Sequence, residues 1–178
     1  FDAFMIIKTV LFTWADTLSD LVVSTQLLLA GSKYAVPMLC VLGFAQLMQA
    51  LTAYFCGQGL LVSFGALLTL KPVIDGAGLL LGVEPGEGSL YDADTLFTVT
   101  RQIEMALEST PDSFLQALAL LESIKTDGRA SAMQLVSLSV SLVHINFTYG
   151  SSALDDDTNE IMRAVHPSYN GLFPLGPK

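Results

Sequence analysis

Apolar residues run along this chain in long blocks with few polar interruptions, and block length sets the first expectation. A bilayer core of about 30 Å takes roughly 20 mostly apolar residues as helix. Residues 4–30, 34–56 and 130–149 meet that length. Only Gly31, Ser32 and Lys33 separate the first two blocks, which predicts an antiparallel helical hairpin. Pro37 falls in the first turn of the second helix, where its missing N–H costs nothing.

The block from 59 to 83 is different. Lys71-Pro72 and Asp75 cut it, and Gly59, Gly65, Gly76, Gly78 and Gly82 dilute it, so it reads as a broken or re-entrant helical segment. Two readings fit: a half-helix pair lining a site, or a proline-kinked helix near the interface with Lys71 extended toward water. An acidic loop follows over 84–94, without the spacing of a calcium-binding loop. Residues 95–124 read as helix, but Thr110-Pro111-Asp112 has the chemistry of a helix start: a capping hydroxyl, a proline at the first position and a carboxylate at the positive dipole end. Two helices meeting at an angle are expected there. From Gly150 to Lys178 the chain turns acidic and gains Gly and Pro, which predicts an extramembrane tail after a bundle spanning 1–149.

Loop charge orders these segments. Lys33 lies in the first joint and Lys125 and Arg129 in the loop before the last block, whereas 84–94 has no basic residue. If exactly one of the two interrupted segments fails to cross, both basic loops share a side, as the positive-inside rule prefers. The expected fold is therefore all-α, a polytopic transmembrane helical bundle with about four crossings and one broken or re-entrant segment.

The polar positions inside the apolar blocks are the most specific feature. Thr9, Thr13, Asp16, Asp20 and Ser24 follow 4, 3, 4, 4 spacing, which keeps all five within an arc of about 80° on a helix. Arg101, Glu104, Glu108 and Asp112 form a second such face, and Gln134, Ser137, Ser141, His144 and Thr148 a third. A charge facing lipid costs several kcal/mol, so these faces must point inward. Pairing then places Arg101 between Glu104, one turn on, and Asp16 or Asp20 across the interface. Such faces can fix helix register, or form a hydrophilic track for a headgroup, an ion or protons. His144 is the one candidate ligand for a metal or a pigment's magnesium, against the commoner alternative of a histidine hydrogen-bonded to a neighbour.

Composition sharpens this. Only 14% of the 178 residues are charged and 52% are hydrophobic, with mean hydropathy +0.56. That is too little polar surface to cover a soluble globule, which disfavours a soluble enzyme. Net charge −9 argues against nucleic acid and against docking on anionic lipid through a basic patch. Cys40 and Cys56 sit in an apolar block and read as small buried hydrophobes, not a disulfide framework. No phosphate-binding lysine loop, dinucleotide glycine fingerprint, HExxH or GxSxG is present, so no enzymatic activity is expected. Asn146-Phe147-Thr148 matches a glycosylation sequon but closes an apolar block. A first residue of Phe1 suggests a processed or trimmed product.

The run Arg101-Gln-Ile-Glu104-Met-Ala-Leu-Glu108-Ser-Thr-Pro111-Asp112-Ser-Phe-Leu-Gln116 resembles the E-x-x-x-E-S-x-P-Q-x-x-L-Q segment of the XK-related membrane proteins, a family that includes phospholipid scramblases. The Asp16-x-x-x-Asp20 pair and the serine-rich stretch 131–148 resemble that family's pattern too. Asp112 stands where the family has glutamine, and the chain is shorter than is usual for it. The resemblance implies lipid transfer along a polar track, completed by a second copy of the chain. Lys71-Pro-Val-Ile-Asp75, the acidic loop, the Glu-x-x-x-Glu-x-x-Pro helix and the ending Leu154-Asp-Asp-Asp157…Arg163…Pro167-Ser-Tyr-Asn-Gly171…Pro174 are also similar to uncharacterised multi-span proteins of algae and water moulds. That likeness implies a compact helical module of algal type.

Two functions are therefore expected. The first is a non-enzymatic accessory or structural subunit of a larger membrane complex, with an algal photosynthetic (photosystem) or respiratory supercomplex as the natural candidate. The second is an XK-like phospholipid scramblase or transporter half. Either implies membrane lipids and other integral subunits or a second copy as partners, with no nucleic acid. The expected cofactors are bound lipid and, in a thylakoid membrane, chlorophyll or carotenoid contacts; a plasma or other membrane is the alternative location.

Overall fold

A computed structural model describes residues 3–83, 89 and 91–158, with the side chains of 127 and 152–158 outside the description. Every regular element among the described residues is helical. The helices are α1 (Ala3–Leu29), α2 (Ala35–Phe55), α3 (Leu60–Leu67), α4 (Lys71–Leu81), α5 (Ala93–Glu104), α6 (Thr110–Asp127) and α7 (Ala132–Thr158). A π-helical stretch, Met105–Ser109, joins α5 to α6.

The first joint forms as expected. Gly31 takes φ +70°, and Ser32 N–H donates to the Leu27 carbonyl at 2.9 Å, so the chain turns within the residues that glycine permits. The segment 59–83 is interrupted at 68–70. There Leu70 N–H returns to the Gly65 carbonyl at 2.9 Å, Thr69 sits at φ +62°, and Trp14 Nε1 donates to the Thr69 carbonyl at 3.1 Å. A β-branched residue in the left-handed region is strained, and the indole bond from α1 holds the turn in place.

Contacts between helices fix their directions. Along α1, Thr13 meets His144 and Asp20 meets Ser137, so α7 runs antiparallel to α1. Thr17 meets Glu108 and Asp20 meets Gln116, so α5–α6 runs parallel to it. Glu108 also meets Gln46 at the level of Thr17, and with the short joint between Leu29 and Ala35 this sets α2 antiparallel to α1. Lys33 pairs with Glu122 at 2.8 Å, and a cavity beside them is lined by Ser32, Lys33, Glu122 and Thr126. Arg129 and Ala30 line a neighbouring cavity, so the two basic loops lie at the same end of the bundle. The short pair α3–α4 packs at the other end, where a Cβ on Gly76 would come within 2.7 Å of Val10 on α1.

Three expectations are corrected. Among the described residues one helix, α2, is long and apolar enough to cross a membrane, and that does not support four crossings. The reason lies in the sequence: α1 carries a charged and hydroxyl stripe that lowers its hydropathy, although the stripe is buried. A new α-helix, α6, does begin at Thr110 with Pro111 in its first turn, but no hydroxyl caps it and no break separates it from α5. The helix stays continuous through the π turn, with Thr110 N–H reaching the Met105 carbonyl, and the widened turn accommodates the ring of Pro111. Cys40 and Cys56 are free, and Cys40 is exposed, because α2 turns Met38, Ala45, Gln46, Gln49 and Ala53 inward instead.

The last helix also continues through Gly150 to Thr158, past the point where the tail was expected to begin. Residues 84–88 and 90 of the acidic loop and residues 159–178 of the tail lie outside the described residues.

Candidate functional site

The centre of the bundle is polar and its outside is apolar. Thr9, Thr13, Asp16, Asp20, Arg101, Glu104, Glu108, Asp112, Gln134, Ser137, Ser141, His144 and Thr148 are all buried. Phe44, Leu47, Phe55, Leu60, Leu61, Phe64, Leu121 and Val136 are among the large apolar side chains left exposed. Each polar stripe that the spacing predicts is thus turned inward.

Asp16 is the most heavily bonded acid. Its Oδ2 accepts from Ser109 at 2.7 Å and lies 2.9 Å from Nδ1 of His144, and its Oδ1 accepts from Ser141 at 2.5 Å. One turn further, Asp20 Oδ1 accepts from Gln116 at 2.6 Å and from Ser137 at 2.9 Å. The same Gln116 nitrogen donates to Asp112 at 2.8 Å, so one amide bridges two carboxyl groups. Glu108 accepts from Thr17 and from Gln46, both at 2.8 Å. Glu104 lies beside Thr13, Arg101 and Glu108; Thr13 approaches its carboxyl group, but neither oxygen has a donor in hydrogen-bonding geometry. The five acids therefore form one column from α1, α5, the π stretch and α6, closed by the serines and histidine of α7 and the amides of α2.

Arg101 does not hold Asp16 or Asp20 in the way the spacing suggests; α7 and Gln116 hold them. Its described bond goes to Ser151 at 2.9 Å, and its guanidinium lies 5.6 Å from the centre of the Phe97 ring. His144 has Asp16 and Ser109 near Nδ1 and Thr13 3.3 Å from Nε2, so both ring nitrogens have neighbours within the chain. Among the described residues no group of three or more His, Cys, Asp or Glu side chains is arranged to hold a metal.

Lys71 and Asp75 make a second buried cluster. Lys71 is 1% exposed and does not extend to water. Its ammonium is ion-paired to Asp75, one turn along α4, and also reaches Thr100 at 3.3 Å. Thr100 in turn donates to Asp75 at 3.1 Å, and Gln58 approaches the other carboxylate oxygen at 3.5 Å. The pair staples α4 to α5 and has no hydrogen bond to the Asp16 column.

No family model matches this chain, and no curated protein or solved structure matches it. Its chemistry must be read from the geometry.

Several participants lie outside the three stripes. Thr17, Gln46, Gln49, Thr100, Ser109, Ser151 and Gln116 are buried polar residues outside the three faces. Gln46 and Gln49 stand one turn apart in an otherwise apolar helix, a signal that was present. Ser109 was not findable from spacing, because the π turn rotates it onto the face that Glu108 would occupy alone in a regular helix.

Proposed function

We propose that this chain is a non-enzymatic integral membrane protein that serves as an accessory or structural subunit of a larger membrane assembly. The observation that carries this is the inverted distribution of polarity: acids, amides and hydroxyls inside, large apolar side chains outside. An outer surface of Phe, Leu, Ile and Val matches lipid tails or neighbouring transmembrane helices, and would aggregate in water. The apolar helix α2, long enough to cross a bilayer, supports a membrane location. At 27 residues, α1 and α7 are each about 40 Å long. The short pair α3–α4, confined to one end, supports the re-entrant role, and the two basic loops at the opposite end support a single cytoplasm-like face under the positive-inside rule. Bound lipid is the expected companion, and the resemblance to algal multi-span proteins makes a thylakoid or other organellar supercomplex the first assembly to examine.

The test is extraction from native membranes in mild detergent followed by native gel electrophoresis. Migration with a large complex is expected; a small homodimer overturns the subunit reading.

A second reading has its own observation in favour. Both carboxyl oxygens of Glu104 and one each of Asp20 and Asp112 are buried without hydrogen bonds, a costly arrangement if the column served only to fix helix register. This supports an XK-like scramblase or transporter half whose polar track is completed by a second copy. In liposomes, a scramblase exposes inner-leaflet fluorescent lipid to an external reductant, and Asp16→Asn or Glu104→Gln slows the exposure. Vesicles that stay sealed overturn it.

A further inference from the structure

The hydrogen bonds of the acidic column do not balance. Both oxygens of Glu104, Oδ2 of Asp20 and Oδ1 of Asp112 lack donors, and so do the amide oxygens of Gln46 and Gln116, whose nitrogens are already bonded within the same column. Each of these atoms is an acceptor. The hydroxyl donors nearby are shared beyond their capacity: the single hydrogen of Ser141 faces Asp16 at 2.5 Å, the Ser137 carbonyl at 3.1 Å and Asp20 at 3.4 Å. Asp20 and Asp112 both accept from one amide nitrogen, that of Gln116, which brings two carboxyl groups to a single donor. Two carboxylates on one donor in a site closed to water repel each other, and carboxyl groups that share a site hold a proton between them.

The surrounding charges do not supply the balance. Asp16 and Asp20 come from α1, Arg101 and Glu104 from α5, Glu108 from the π stretch, Asp112 from α6 and His144 from α7, while α2 brings only the amides of Gln46 and Gln49. On α4, Lys71 is committed to Asp75. Five acids thus face one arginine and one histidine. A metal cation is a poor remedy, because no three ligating side chains converge among the described residues. A proton needs no coordination sphere. Added to a carboxylate oxygen, it converts one unsatisfied acceptor into a donor and removes one buried charge.

We infer that the column running from Glu104 through Glu108, Asp16 and Asp112 to Asp20 is a proton-binding site, with protons resident on Glu104 and shared by the Asp20–Asp112 pair. The site stands whether the chain is a subunit or a lipid carrier, and its test does not depend on either.

The test is hydrogen–deuterium difference infrared spectroscopy of the full chain in phosphatidylcholine nanodiscs at neutral pH. The expected result is a carbonyl stretch of neutral carboxylic acid that shifts in deuterium oxide and fades as pH is raised. Glu104→Gln and Asp112→Asn should each remove one component of that band, with helix content by circular dichroism unchanged. A wild-type spectrum showing only ionised carboxylate overturns the inference even if no variant folds. So does stoichiometric alkali metal in the purified protein together with an absent acid band. A band untouched by both substitutions overturns the assignment to these residues.

Discussion

His144 Nδ1 lies 2.9 Å from Oδ2 of Asp16, joining the last long helix to the first at the level where Ser109 of the π turn also reaches the same oxygen. Three helical segments therefore meet on one carboxylate. Replacing His144 with Leu leaves Asp16 buried with one contact fewer and Thr13 without its ring neighbour. The expected loss is about 1–3 kcal/mol, the usual cost of an abandoned buried polar group. Detergent-titrated unfolding followed by circular dichroism measures it. Because Ser109 and Ser141 still bond Asp16, Asp16→Leu should cost more than His144→Leu, and the reverse order would show that the ring, not the acid, organises the junction.

Lys71 and Asp75 offer a cleaner separation. Both are buried, and each is the other's charge partner. Lys71→Met strands a carboxylate in the interior and is expected to cost about 3–5 kcal/mol, whereas Lys71→Met combined with Asp75→Leu should recover most of that loss. A double variant as unstable as the single one would mean that Thr100 and Gln58 depend on Asp75 for more than its charge.

How far the chain explains itself differs from one segment to the next. The three polar stripes were legible because helical periodicity alone places Asp16 with Asp20 and Ser137 with Ser141, and burial of charged groups dictates that such faces point inward. The hairpin at Gly31 was legible for a similar reason, since only a left-handed residue closes so short a joint. The partner of Arg101 was not, because spacing says which face a side chain is on but not which neighbour sits opposite. Nor was the fate of Lys71: a long side chain beside proline can extend to water or turn inward, and the choice depends on Thr100 and Asp75, which only the packing of α4 on α5 brings near. The π turn escaped because Thr110-Pro111-Asp112 carries equally good signals for a helix start and for a continuous helix with one widened turn.

Close approach of α4 to α1 rests on Gly76. A Cβ there would stand 2.7 Å from Cγ2 of Val10 and 3.3 Å from Cγ2 of Ile6. Gly76→Val forces the helices apart or the side chains off their rotamers, and overpacking of this kind costs about 1–3 kcal/mol. Shortening the obstacle with Val10→Ala should restore most of the stability of Gly76→Val, measured again by unfolding in mixed micelles. If it restores nothing, the glycine is needed for its backbone and not for the space it leaves.

At the start of α5, Asp92 is the N-cap and accepts from the Thr95 N–H at 2.8 Å, and hydrogen bonding with the Thr95 side chain and then its backbone holds the carboxyl below the usual carboxylate range. A lowered value in the folded state means that the folded chain binds its proton less readily than the unfolded chain. The cap's contribution is therefore complete above the ordinary unfolded pKa of aspartate and disappears as pH falls through the lowered value. Since Asp92 is almost wholly open to water, the effect is local fraying and not global unfolding. Amide hydrogen exchange at Thr95 and Leu96, corrected for the intrinsic pH dependence of exchange, should lose protection on acidification below pH 4, and Asp92→Ala should show the same weak protection at every pH. Asp92→Asn keeps a capping oxygen without the titration, so it should stay protected throughout. If Asp92→Asn tracks the wild-type acid profile instead, the protection lost on acidification belongs to another carboxyl group.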